Sequence, residues 1–242
     1  MTTYLERYLQ GEYEQVWSEL IGLGDRIRQE SIFPDAYAVA QEIMQRVRLN
    51  VECLIPRLEA IGYHFGASWD RNYVGALVPP EPDVTERILE FERECAPIPL
   101  VLRACCEIIG RIDFRGQPPL GWAGYHDELV IEGSFALECL NDWEGNYLEI
   151  GLFSDTEQKR GGRGVGPVCM SVPNMGIDGP LFIDDFRYPF GESLVSYLRT
   201  SILKRAGFPC FPCPEWVLSE GEEEYRGQIT HLKELIHDLI PF

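Results

Sequence analysis

Residues Ile98 to Gly116 read IPLVLRACCEIIGRIDFRG, and within these nineteen residues the hydrophobic period of the chain changes. Pro99 has the fixed φ that suits a first helical turn, and Val101, Leu102, Cys105, Ile108 and Ile109 then recur at three- and four-residue spacing. Arg103, Glu107 and Arg111 form a ladder of charges on the other side of the same helix. Gly110 ends it. From Ile112 the apolar segments shorten and fill with β-formers, so a helix is expected to run directly into a strand. On that helix Cys105 falls within the apolar stripe, and Cys106 is turned about 100° from it. The two sulfurs therefore diverge and cannot converge on one metal. A disulfide between neighbours is also disfavoured, because consecutive Cα atoms lie about 3.8 Å apart and disulfides favour roughly 4.4–6.8 Å. Both thiols are expected to pack as small hydrophobes.

Working outward, short strands are expected at Ile112–Phe114, Leu129–Ile131, Tyr147–Leu152, Val168–Val172 and Leu181–Ile183. The Gly, Pro, Asn and Asp between them supply turns, which favours an antiparallel meander over parallel βαβ units. Leu194, Leu198 and Ile202 stripe a following helix, and Ile229, Leu232, Ile236 and Leu239 another. Before the sheet, Tyr4 to Ile21 and Val39 to Ile61 keep the helical period, with Gly22 and Gly24 between them. Pro56 is expected to kink or divide the second helix, since it lacks a donor and crowds the preceding turn. The fold expected is α+β: an antiparallel multi-stranded sheet flanked by helices, with an N-terminal helical arm. Gly62 and the loop through Pro79, Pro80 and Pro82 place the boundary, giving a helical region over 1–75 and an α+β domain over 76–242.

The chain has 242 residues, 45% of them hydrophobic, enough for a substantial core. Its 21 basic and 39 acidic residues give a formal charge of −18, which repels nucleic-acid phosphates and anionic membranes alike. The same field attracts a basic protein and raises its association rate. Glu6, Arg7, Glu12 and Glu14 interrupt what a signal peptide would need as an apolar run, so a cytoplasmic location is expected, with the eight cysteines mostly reduced.

The competing chemistry centres on Cys210-Phe211-Pro212-Cys213, a C-x-x-C that suits a redox pair or half a zinc site. It follows a helix and Gly207, not the strand of a thioredoxin-type βαβ unit. A zinc site needs two more ligands, and His231 and His237, six residues apart, point about 120° from one another on a helix. Cys53 or Cys169 could take their place, so a zinc- or thiol-dependent protein stays open beside a proline-rich turn with packed thiols. KRGGRGVGP, Lys159 to Pro167, matches neither glycine-rich phosphate motif and lies between strands; a hairpin loop is the simpler reading. Tyr125-His126-Asp127-Glu128 groups an imidazole with two carboxylates but reads as solvated loop ahead of a strand. Trp122, Tyr125 and Trp143, with Asp184 and Asp185, are the candidate partner-binding residues, since aromatic anchors ringed by acids suit a basic partner. The ordinary alternative is core for the aromatics and solvated turn for the aspartates.

The proline-led apolar helix ending in glycine and running into a strand, in IPLVLRACCEIIGRIDF, resembles the opening of SUKH-superfamily domains, bacterial immunity proteins related to a fungal cell-wall synthesis regulator. Trp143 in LECLNDW, the stretch FGESLVSYLRTSILKRAGFP and the final LIPF are similar to features of bacterial members, so the likeness spans roughly Pro82 to Phe242. The resemblance implies an α+β domain, an antiparallel sheet flanked by helices, without catalytic machinery; no cofactor or metal is expected. Its expected task is to neutralise a toxin, such as a basic nuclease, by direct binding. A regulatory scaffold that pairs through its N-terminal helices is the other non-enzymatic expectation.

Overall fold

A computed structural model describes residues 2–66, 73–119, 122, 128–132, 147–152, 168–183, 188–209 and 231–242. Helix α1 (Tyr4–Leu9) opens with Thr3, whose hydroxyl accepts from the Glu6 N–H while the Glu6 carboxylate accepts from the Thr3 N–H. The Asp35 carboxylate adds acceptors for the Tyr4 and Leu5 N–H groups, at 2.6 and 3.1 Å, so these otherwise orphaned donors are tied to a distant part of the chain. Gly11 separates α1 from α2 (Tyr13–Leu23), and a 3₁₀ turn (Gly24–Arg28) follows. The sequence reads Tyr4 to Ile21 as one periodic stretch; the turn at Gly11 makes it two helices.

Helix α3 (Phe33–Ala60) is continuous through Pro56. The missing Pro56 donor deprives the Glu52 carbonyl, one turn back, and Glu52 is exposed, so water satisfies it and the helix need not break. Helix α3 buries Val39, Ile43, Val47, Val51, Leu54 and Leu58 completely, and packs against α5 (Leu100–Ile108). Each such side chain contributes about 1.5–3 kcal/mol relative to an exposed one. Between them in sequence lies α4 (Val84–Glu94), which buries Val84, Ile88 and Phe91 and exposes Glu86, Glu90 and Glu94.

The main sheet is antiparallel throughout its described pairings. Its strands are β2 (Leu77–Val78), β3 (Arg111–Asp113), β5 (Val130–Glu132), β6 (Tyr147–Leu152), β7 (Val168–Ser171), β8 (Pro180–Ile183) and β9 (Tyr188–Ser193), neighbours in that order. A separate small ladder joins β1 (His64–Phe65) to β4 (Gly116–Gln117). The expected meander from Ile112 to Ile183 is present within a residue or two at each strand; β9 and the two-residue strands are additions that periodicity does not reveal. Helix α6 (Leu194–Leu198) follows β9 and widens into a π-helical turn at Arg199–Lys204. The fold is α+β, and the helices of the first sixty residues share one continuous apolar cluster with the sheet and with Phe242.

Cys105 and Cys106 are each 1% exposed, as free thiols within that cluster. The charge ladder expected on α5 is shorter than the spacing suggests: Arg103 meets Glu107 at 3.2 Å, but Arg111 lies in β3 and turns to Asp113 and Glu132.

Candidate functional site

Where α3 ends, the chain turns at Gly62 and lays down an aromatic group. Tyr63 is buried, its hydroxyl donating to the Phe114 carbonyl at 2.6 Å. Phe208 stands edge-on to it at 5.5 Å, and Phe65 at 5.0 Å; Phe65 in turn meets Phe114 at 5.3 Å. Trp122 joins this group, 5.3 Å from Phe208 and 6.1 Å from Tyr63. Its half-buried indole is therefore a rim member of an aromatic core, with one side packed. Beside the group runs an open groove of about 600 Å³, walled by Ile55, Glu59, Tyr63, His64, Tyr73 and Leu77. Burial, and then the nearby Asp113 carboxylate, push the Tyr73 hydroxyl well above the usual phenol range, so it stays protonated.

Trp122 is the one sequence-predicted partner residue that the structure describes. Tyr125, Trp143, Asp184 and Asp185 lie outside the described residues, as do Cys210, Cys213 and the Lys159–Pro167 glycine cluster. One correction concerns Glu128, read from sequence as solvated loop: it is 1% exposed. It sits immediately before β5, and Leu129 beside it is tied to Phe114 and Gly207 by backbone bonds, which draws this end of the loop inside. His231 is half-buried and His237 exposed, each beside a carboxylate of its own segment, Glu234 and Asp238.

Charge is distributed unevenly between interior and surface. Asp113, buried at the end of β3, holds Arg111 at 2.7 Å and Arg115 at 2.5–2.8 Å and accepts from the Arg115 N–H at 3.1 Å. Burial alone would raise its pKa, but the two guanidinium groups hold it below the usual carboxylate range. Glu92 of α4 bridges Arg28 and Arg103, both at 3.3 Å. Arg103 continues to Glu107, whose carboxylate also accepts from the Tyr37 hydroxyl. Arg28 further donates to the Met175 carbonyl at 3.1 Å and to that of Ile98. Arg46 is bound by Glu42 and the Pro241 carbonyl, and Arg7 by Glu12 and Glu19. By contrast Asp25, Glu30, Asp83 and Glu86 are exposed and make no ion pair among the described residues. The described arginines are thus largely spent on holding elements together, while these carboxylates face solvent.

Cys105 and Cys106 offer little nucleophilicity. Burial pushes Cys105 up to about 12 and Cys106 well above the ordinary thiol value, and it also raises Cys95. Among the described residues no three His, Cys, Asp or Glu side chains gather in a metal-binding arrangement, and no helix is long and apolar enough to cross a membrane. The sequence reading missed Tyr63, Phe65 and Phe208. Their signal was Tyr63-His64-Phe65, two aromatics at the alternation of a strand just past a helix-ending glycine, a run too short to stand out.

Comparison with known proteins gives no match: no protein-family model, no curated protein and no solved structure aligns significantly with the chain.

Proposed function

We propose that this chain is a non-enzymatic protein-binding module that works in the cytoplasm as an immunity protein, occluding a basic toxin such as a nuclease. The supporting observation is the division of charge: among the described residues the buried and half-buried arginines are paired inside, and the chain as a whole carries a formal −18. An acidic exterior of this kind draws in a basic partner and competes for the groups that partner would present to its own substrate. The SUKH-like reading of Pro82 to Phe242 agrees with the α+β fold and its antiparallel sheet, and it rests on short sequence motifs. Within this reading the aromatic group with Trp122 at its rim, beside the groove flanked by Glu59, offers the anchors that a contact centre needs.

The test is affinity capture from the native cell with mass-spectrometric identification, followed by stopped-flow association with the purified partner. The expected partner is a basic nuclease whose activity falls stoichiometrically on binding, with an on-rate that drops steeply between low and physiological salt. An on-rate indifferent to salt, or substrate turnover by the chain itself that a single thiol or imidazole substitution abolishes, would remove the proposal.

A further inference from the structure

A second cavity, of about 420 Å³, lies away from the aromatic groove, where the start of α2, the π-helical turn and the Pro241–Phe242 segment converge. Its wall carries Arg199 and Lys204, a pair of cations in a strongly acidic chain, beside Tyr13, Leu203 and Phe242. The π-helical turn accounts for the pairing. On an α-helix, residues five apart point about 140° from one another, at about 100° per residue. The i→i+5 repeat of the wider turn brings them back to one side, and such turns occur often at functional sites.

The Arg199 guanidinium is held but not saturated. Its Nε donates to the Phe242 main-chain oxygen and its plane lies over the Trp17 ring at 5.8 Å. Nη2 is enclosed near the Tyr8 hydroxyl, whose pKa Arg199 lowers against burial, yet neither atom makes a hydrogen bond of good geometry. Among the described residues Nη1 reaches only the Glu14 carboxylate, at 3.4 Å, and that side chain is 86% exposed. A pair at such a distance, with its acidic partner exposed, contributes little and is readily exchanged. Glu14 therefore occupies, loosely, the position that an incoming carboxylate would take.

We propose that this cavity binds a small organic acid, a single carboxylate joined to an apolar or aromatic body. Arg199 and Lys204 receive the carboxylate as Glu14 swings into solvent, and Tyr13, Leu203 and Phe242 cover the apolar part. A planar fork such as guanidinium suits carboxylate and phosphate equally. The apolar wall, the rim acids Glu12 and Glu14, and the net charge of the chain select against a dianion. The proposal is independent of the protein-binding function argued above.

The test uses the full chain, isotope-labelled for amide NMR, titrated with 3-phenylpropionate, with the isosteric alcohol 3-phenylpropanol and with inorganic phosphate. The expected result is saturable shifts of Tyr13, Glu14 and Lys204 amides by the acid at millimolar concentration. The alcohol should bind at least tenfold more weakly, and phosphate should not displace the acid. Glu14 and Lys204 are exposed, so Glu14→Gln and Lys204→Gln leave the fold intact. Removing the internal competitor should tighten binding about threefold, and removing the amine should weaken it by a similar factor. Absence of shifts, equal binding of the alcohol, displacement by phosphate, or a Kd unchanged in Glu14→Gln would each overturn the assignment.

Discussion

Replacing Gly110 by alanine should destabilise the chain more than any other single methyl group added at the helix-to-strand junction. Gly110 follows α5 with φ +73°, and a Cβ there would stand 2.5 Å from the Val78 carbonyl oxygen, 2.5 Å from the Pro80 nitrogen and 2.6 Å from the Pro79 carbonyl carbon. These are backbone atoms at the end of β2 and in the two prolines that follow it, so no side-chain rotation relieves the contact. A left-handed conformation costs a non-glycine residue roughly 1–2 kcal/mol. Forcing a methyl into a packed backbone adds roughly 1–3 kcal/mol. The sum is about 2–5 kcal/mol, a large part of the 5–15 kcal/mol that holds a typical domain folded. Gly11 supplies the control, because its φ is +97° and nothing lies within 4 Å of the added Cβ. Gly11→Ala should therefore show the conformational cost alone, about 1–2 kcal/mol. In urea unfolding followed by circular dichroism, with an m-value of roughly 3 kcal/mol per M, Gly110→Ala should lower the midpoint by about 1 M and Gly11→Ala by about half that or less. Equal shifts for the two variants would refute the close approach of β2 to the end of α5, and with it the docking of β2 on β3.

Other consequences are as direct. Cys105 and Cys106 should resist a disulfide reagent at pH 8 until denaturant is added, while the partly exposed Cys53 and Cys95 react first; rapid labelling of all of them in the native protein would contradict the packing. The depressed pKa of Asp113 means that its contribution is present above its unfolded value, about 3.9, and is lost as pH falls through the lower folded value. Asp113→Asn should cost about 3 kcal/mol at pH 7, by leaving Arg111 and Arg115 short of a partner, and should flatten the acid limb of a stability–pH curve. Asp178 has the opposite sign: burial raises its pKa although it accepts from the Gly179 and Val195 N–H groups, so its contribution is complete below about 3.9 and falls as pH rises through the folded value. Asp178→Asn should remove that descending limb, and a curve of unchanged shape would count against it. Asn50→Ala should cost about 2 kcal/mol, because Asn50 exchanges two hydrogen bonds with the Ile240 backbone, at 2.7 and 2.8 Å. Faster amide exchange confined to residues 235–242 is the matching observation, and unchanged exchange there would refute the link.

What the sequence by itself determined is local. The stripe from Val101 to Ile109, the stop at Gly110 and the β-formers after it specified a helix running into a strand, because helical and strand periods are properties of neighbours a few residues apart. The same periodicity marked the strands from Ile112 to Ile183 and placed both neighbouring thiols inside. Tertiary structure decided everything whose partner is remote in sequence. Asp35 completes the first turn of α1 from thirty residues away, and Asn50 and Arg46 fasten a segment about 190 residues downstream. Glu92 joins arginines of two different elements. Tyr63 and Phe65, Phe114, Trp122 and Phe208 come from four separate segments of the chain to make one aromatic group. No period in the chain encodes such meetings, since the energy of an ion pair or a ring contact depends on distance in space and only weakly on the length of chain between its members. The net charge was legible from composition, but its division into an arginine-bound interior and an acidic exterior was settled only when the fold chose which carboxylates to bury.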